Sequence, residues 1–310
     1  MDSKESEEKV RALEFYCGIG GTHFALKKLP TPICVIAAFD INTTTNAIYR
    51  HNFPSTKLCQ NNIQGLTASA LDKFHANLWT MSPPCQPFTL KGNLRGMDDR
   101  RCDSFKNLLT SLETMMSPPQ WIFIENVSAF EGTSMHTLLI QTLNNVGYHI
   151  EEYMLSPSQF SVPNSRPRYY LLASRREKSA TYISDIRRSM EECVEGATSS
   201  IMEYLEDNDE HVFLSRDKIE KAALSIVTPS STSSACFTKS YTQYLVGCGS
   251  YLSDPNGIRP FSPREVASLM SFPHSFSWPS QVTHKQLYRA LGNSVSVIVV
   301  SNLVSRLLTL

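Results

Sequence analysis

The 310-residue chain lacks an excess of charge of either sign, because 29 Lys and Arg stand against 29 Asp and Glu. That balance excludes a protein that coats polyanions through a global field, so any nucleic-acid recognition must come from local surface. No Cys-x-x-Cys pair occurs among the eight cysteines, which argues against a zinc site or a dithiol, and no metal is expected. The Gly-x-Gly-x-x-Gly fingerprint of dinucleotide binding is missing, and no internal repeat is evident. No stretch approaches the roughly 18 apolar residues of a membrane span. The polar start MDSKESEEKV lacks the basic and apolar regions of a secretory signal. The expectation is a soluble intracellular protein, cytoplasmic and/or nuclear, with no membrane partner.

What is present is an alternation of two textures. Apolar runs at 10–17 (VRALEFYC), 33–40 (ICVIAAFD), 56–60 (TKLCQ), 77–82 (NLWTMS) and 121–127 (WIFIENV) read as strands. Helix-like stretches lie between them at 18–29, 43–52, 67–75 and 103–116. Continuous apolar strands alternating with helices imply an α/β fold with a mostly parallel sheet covered on both faces. The runs 148–156 and 168–174 are joined by a short loop and are expected to pair with each other. From 175 to 260 the chain turns Ser-rich, acidic and weakly periodic, with 10 Lys and Arg against 13 Asp and Glu. This segment is read as a small second domain inserted into a core formed by 1–174 and 261–310.

Three constellations carry chemistry. In EFYCGIGG, glycines leave the first strand and open a helix, which lets backbone pass close beneath a ligand, and Asp40 ends the second strand where a ribose would meet it. In MSPPCQPFT, prolines keep Cys85 off any helix and rigid on a loop. Glu125 ends the fifth strand; a structural salt bridge and a role in the same crevice as Cys85 both remain open for it. In NSRPRYY, Arg166 and Arg168 alternate before a strand and supply forked donors for a phosphate or a carbonyl, or else an ion pair.

In this order the motifs resemble those of the cytosine carbon-5 methyltransferase family: FYCGIGG, SPPCQPF, ENV, NSRPRYY and LGNSV at 291–295. Cys236, Phe237 and Thr238, followed by Tyr241, Gly247 and Gly249, resemble the narrower branch acting on cytosine 38 of tRNA-Asp, once classed with DNA methyltransferases. The resemblance implies a Rossmann-like methyltransferase core plus a small target-recognition domain. It implies S-adenosyl-L-methionine as cofactor and S-adenosyl-L-homocysteine as product. Phe15, Ile19, Gly20 and Gly21 would hold the cofactor at the first strand, with Asp40, Ile41, Asn62, Ile63 and Ser82 beyond it and Asn293 and Ser294 returning from the last motif. The resemblance implies RNA contacts at Cys236, Phe237, Thr238 and Tyr241 in the second domain, while Lys91, Arg95, Arg100 and Arg101 form a basic loop after the cysteine that is read, from its place beside Cys85, as touching phosphates rather than as a solvated surface loop. Two positions depart from the branch: Leu90 where Arg is common, and Ala129 where Gly is common.

The implied chemistry accounts for the residue types. Carbon 5 of cytosine becomes nucleophilic only after a thiolate, here Cys85, adds to carbon 6. Glu125, its pKa raised by burial, would supply a proton to ring nitrogen 3. Arg168 would grip the ring carbonyl, and Arg166 would brace Glu125 or a phosphate. An unpaired loop nucleotide is easier to extrude than a paired one, which favours the anticodon stem-loop of tRNA, with DNA as a weaker ligand. The alternatives are a DNA (cytosine-5)-methyltransferase with the same core and a weakly active, chaperone-like RNA-binding relative.

Overall fold

The computed structural model describes residues 9–60, 62–84, 102–175, 185–191, 193, 198–206, 212–220 and 222–310. Along the first 175 residues run β1 (Val10–Phe15), α1 (Gly21–Lys27), β2 (Ile33–Phe39), α2 (Thr43–Asn52), β3 (Leu58–Cys59), α3 (Ala68–Asp72) and β4 (Leu78–Met81). They continue with α4 (Asp103–Thr114), β5 (Trp121–Val127), α5 (Ser134–Val146), β6 (His149–Leu155) and β7 (Arg168–Ser174). Then come α6 (Arg216–Glu220), β8 (Ser225–Val227), β9 (Ser250–Asp254) and β10 (Gly257–Pro260), and finally α7 (Pro263–Leu269), α8 (His284–Gly292) and α9 (Val297–Leu307).

Seven strands form one sheet in the order β3-β2-β1-β4-β5-β7-β6. All neighbours from β3 to β5 are parallel, whereas β7 lies antiparallel to both β5 and β6. The expected β6–β7 pairing is therefore present, and β7 enters the sheet between β5 and β6.

Both faces are covered, as continuous apolar strands require. Val10 and Ala12 of β1 face a cluster built with α1, α7, α8 and α9, while Leu13 and Phe15 face one built with α4 and α5. By the same two-residue alternation Glu14, Thr80 and Glu125 share the first of these faces, a row of polar groups on an otherwise apolar layer.

Helix starts carry local signals. Asn42 caps α2 by accepting from the amides of Thr44 and Thr45 at 3.0 and 3.1 Å, and Thr133 caps α5 through His136 at 3.2 Å. Ser262 with Glu265, and Thr283 with Gln286, form capping boxes that begin α7 and α8.

The segment between β7 and α7 contributes a small sheet in the order β10-β9-β8. Its core side chains Phe237, Tyr241, Tyr251 and Leu252 belong to the same buried cluster as α7, α8 and α9. Arg259 of β10 reaches Glu265 of α7 with two nitrogens at 2.8 and 2.9 Å, both side chains buried. The stretch His284–Leu307 is long and apolar enough to cross a membrane by length and composition, contrary to the expectation that no run comes near. Its apolar side chains, including Leu287, Leu291, Val300 and Leu303, are spent on the core instead.

Candidate active site

The carboxyl ends of β1, β2, β4 and β5 lie along one edge of the sheet, the edge at which open α/β sheets collect ligands in a crevice. At the end of β1 the chain leaves the sheet abruptly. Tyr16 sits at φ 58°, and Gly18 and Gly20 at φ 52° and 85°. Gly20 is also a packing requirement, since a β-carbon there would lie 2.4 Å from the Phe53 ring. At Gly21 a β-carbon would lie 2.7 Å from Ser294 Oγ. The last motif therefore closes directly on the glycine turn. Asp40 links the two strand ends by accepting from the amides of Gly18 at 3.0 Å and Asn42 at 2.8 Å. Burial raises its pKa against those bonds, and its remaining lone pairs suit ribose hydroxyls. Beside it Ile41 is 67% exposed, an apolar surface at the crevice mouth.

Other expected cofactor residues sit differently. Phe15 is a core side chain, stacked on Phe39 at 5.1 Å and edge-on to Trp79 at 5.2 Å, because the strand alternation turns it away from the crevice. Ile19 is buried with Phe24, Tyr49 and Phe53, and Ile63 is buried on the opposite face. These three can offer a ligand only main chain. Asn62 spends its side-chain oxygen on the Gln64 amide at 3.0 Å. Asn293 is exposed and Ser294 partly so, at the C-terminal end of α8.

On the other side of the crevice Glu125 is 8% exposed. Its Oε1 lies 3.5 Å from Arg168 Nε, and the Ser82 side chain hydrogen-bonds it. Burial raises the Glu125 pKa and outweighs the lowering by Arg168, Arg166 and Ser82, so this carboxyl keeps its proton to a higher pH than a free one. Next to it Asn126 Nδ2 donates to Pro83 O at 3.4 Å, which ties the ENV motif to the start of the proline loop. Cys85, Lys91, Arg95, Arg100 and Arg101 lie outside the described residues.

Arg166 departs from the expectation. It is 3% exposed and donates to Phe237 O at 3.0 Å, to Gly292 O at 3.1 Å and to Ser294 O. Both of its terminal nitrogens are engaged by main-chain carbonyls from two distant segments, and its Nε is buried without a partner among the described residues, so it acts on Glu125 through its charge and not through a hydrogen bond. It and Arg168 converge on Cys236, whose Sγ lies 3.5 Å from Arg166 Nη1 and 3.8 Å from Arg168 Nη2. Burial pushes the Cys236 thiol up, but the two guanidiniums outweigh it and hold its pKa below the ordinary cysteine value.

Phe237 and Tyr241, expected at the substrate, are each 1% exposed and pack edge-to-face at 5.0 Å in the core. Thr238 presents its peptide to Gly292, where a β-carbon would lie 2.2 Å from the Thr238 carbonyl carbon. The triplet is thus a seam between the second segment and α8. Cys236 meets the arginines with its side chain, and Phe237 meets Arg166 with its carbonyl.

Sequence reasoning missed a polar cluster beneath the glycine turn. Tyr49 donates to Glu14 Oε2 at 2.9 Å, and His23 Nδ1 lies 2.8 Å from the Tyr49 hydroxyl while its ring stacks on Phe53 at 3.7 Å. Burial pushes Glu14 up to about 8 against the Tyr49 bond, and burial with Lys27 pushes His23 down to about 3. The only advance signal was an acid inside an apolar strand, Glu14 in RALEFY.

The C-5 cytosine-specific DNA methylase family matches the chain over residues 10–245 and 222–309. A tRNA (cytosine(38)-C(5))-methyltransferase of Schizosaccharomyces pombe is 40% identical, the match covering 98% of each chain. A DNA (cytosine-5)-methyltransferase of Dictyostelium discoideum is 32% identical, the match covering 97% of this chain and 95% of that one. The crystal structure of the S. pombe Dnmt2 methyltransferase superposes with a TM-score of 0.86 at 39% identity, over 97% of this chain and 99% of that one.

Proposed function

Because the chain belongs to the C-5 cytosine-specific DNA methylase family, we propose that it transfers a methyl group from S-adenosyl-L-methionine to carbon 5 of cytosine 38 in the anticodon loop of tRNA-Asp. One observation carries the chemistry: a buried carboxyl with a raised pKa, Glu125, stands 3.5 Å from a guanidinium at the root of the cysteine loop. The choice of RNA over DNA is supported by the named activity of the S. pombe relative, 40% identical along almost the whole chain.

The chain's own residues suit the cofactor. At Gly20 and Gly21 the turn leaves no room for a side chain, Asp40 retains lone pairs for ribose, and Ile41 offers an apolar surface for an adenine. When bound, S-adenosyl-L-methionine supplies an electrophilic methyl group. Cys85 adds as thiolate to carbon 6 of the extruded cytosine while Glu125 gives its proton to ring nitrogen 3, so no negative charge accumulates on the ring. Arg168, already oriented by Glu125, holds the ring carbonyl. Carbon 5 takes the methyl group, water takes the proton that carbon 5 gives up as the Cys85–carbon 6 bond breaks to regenerate the thiolate, and ring nitrogen 3 returns its proton to Glu125. Arg166 keeps the two walls of the crevice in register by bonding Phe237, Gly292 and Ser294. Residues 175–260 act as the target-recognition domain.

Transfer of labelled methyl to tRNA and to duplex DNA tests the reading. Label in cytosine 38 of tRNA-Asp, abolished by Cys85→Ala in a protein that still binds cofactor, is the expected result. Label in duplex DNA with tRNA untouched would give the Dictyostelium name instead.

A further inference from the structure

The segment from Phe237 to Ser250 is held firmly at its root and bare at its tip. At the root the Thr238 amide donates to Cys248 O at 3.0 Å. Tyr241 donates to Ser250 O at 2.7 Å and accepts from the Phe261 amide at 2.9 Å, and Gly249 leaves room for its ring, 2.6 Å from where a β-carbon would stand. Arg166 and Gly292 fasten the same root to the crevice wall. Above it Thr242 adopts φ 66°, a conformation that a β-branched residue rarely takes. The Tyr244 amide is bonded to Ser240 O at 3.1 Å, and Leu245 turns inward against the core. The side chain of Tyr244 is left 65% exposed with no described partner for its ring or hydroxyl, and Val246 beside it is 53% exposed.

A strained, anchored turn that spends its core contacts to aim a tyrosine into solvent is not explained by stability. It begins at the seam that carries Cys236 and the two arginines, and Lys239 lies on the same turn. Unpaired nucleotides are recognised by stacking on aromatic faces fixed in advance by the protein, with cations nearby for the phosphates. We infer that Tyr244 is a stacking platform for a nucleotide flanking the target cytosine, and so a specificity-determining residue. This rests on the proposed reading of the crevice as an RNA cytosine site.

The test uses anticodon stem-loop RNA of tRNA-Asp with 2-aminopurine on the 5′ side of the target cytosine, and a second probe with it on the 3′ side. With the unaltered protein, fluorescence changes on binding in at least one probe. Tyr244→Ala should lose that change and weaken binding about tenfold or more, with KM rising in parallel and kcat at saturating RNA within about threefold. Tyr244→Phe should retain both stacking signal and affinity. Thermal stability and cofactor affinity should stay unchanged in both variants, which a merely structural role would not allow. If Tyr244→Ala binds and reports as the unaltered protein does while that protein methylates the RNA, the inference fails alone. If the unaltered protein neither binds nor methylates the stem-loop, the functional reading fails and takes this inference with it.

Discussion

Two buried polar centres flank the crevice, and they are made in opposite ways. Under the glycine turn Glu14, Tyr49 and His23 form a cluster in which burial favours the neutral form of the acid and of the imidazole, and all three come from one strand-helix-strand-helix run of the chain. Across the crevice Arg166 and Arg168 remain charged next to Glu125 and Cys236, and the bonds of Arg166 span 71 to 126 positions to Phe237 and Gly292. The first centre supports a binding surface by shape. The second keeps charge where a substrate ring would acquire it, at the expense of tying distant segments together.

The comparison breaks most visibly at the charged centre. Glu125→Gln should lower kcat by about 10²–10⁴ while cofactor affinity holds, because the ring loses its proton donor. Steady-state methyl transfer and calorimetric cofactor binding would show the split; equal losses in both would mean that Glu125 is only a structural partner of Arg168. Next in size is Arg166→Leu. It leaves the carbonyls of Phe237, Gly292 and Ser294 without their donor, and urea denaturation should show about 3 kcal/mol of lost stability. Arg166→Lys, with a single ammonium, should recover little of that.

The neutral centre answers to pH. Glutamate titrates at 4.5 when free and Glu14 at about 8 in the fold. Between those values the native state holds a proton that the unfolded chain has released, so stability falls as pH rises through the window. Glu14→Gln should flatten the dependence of the denaturation midpoint on pH between about 5 and 8 and recover up to a few kcal/mol at its alkaline end. An unchanged slope would show that Glu14 is ionised in the native protein. The smallest effect is expected at Asp40→Asn, about a tenfold weaker cofactor affinity from the loss of one charged acceptor, read by calorimetry.

Legibility followed the same divide. β1, β2, β4, β5 and β7 stand in the sequence as apolar runs, because burial on both faces writes itself into composition, whereas β3 is two half-buried residues and β6, expected from its nearness to β7, carries His149, Glu151 and Glu152. Asp40 and Glu125 were legible as the acids at strand ends. What stayed hidden was direction. Phe15 and Tyr16 are adjacent aromatics, and it is the alternation along β1 that turns Phe15 into the core, where it stacks on Phe39. Phe237 and Tyr241 look like substrate contacts in the chain and are core in the fold, since their burial is imposed by Phe261, Tyr251 and Tyr288 from elsewhere. The bonds of Arg166 to Phe237, Gly292 and Ser294 stayed hidden for a related reason: a guanidinium that serves carbonyls leaves no local pattern.

The central claim is a transient bond between Cys85 and the target cytosine, supported by Glu125. It is tested most directly by incubating the protein and S-adenosyl-L-methionine with an anticodon stem-loop carrying 5-fluorocytidine at position 38, where the proton that must leave carbon 5 is replaced. Intact mass spectrometry should find a species equal to protein plus methylated RNA, mapped by digestion to Cys85 and absent from Cys85→Ala. Methyl transfer to the ordinary stem-loop by Cys85→Ala at the unaltered rate, or an adduct mapped to any other residue, would contradict the account.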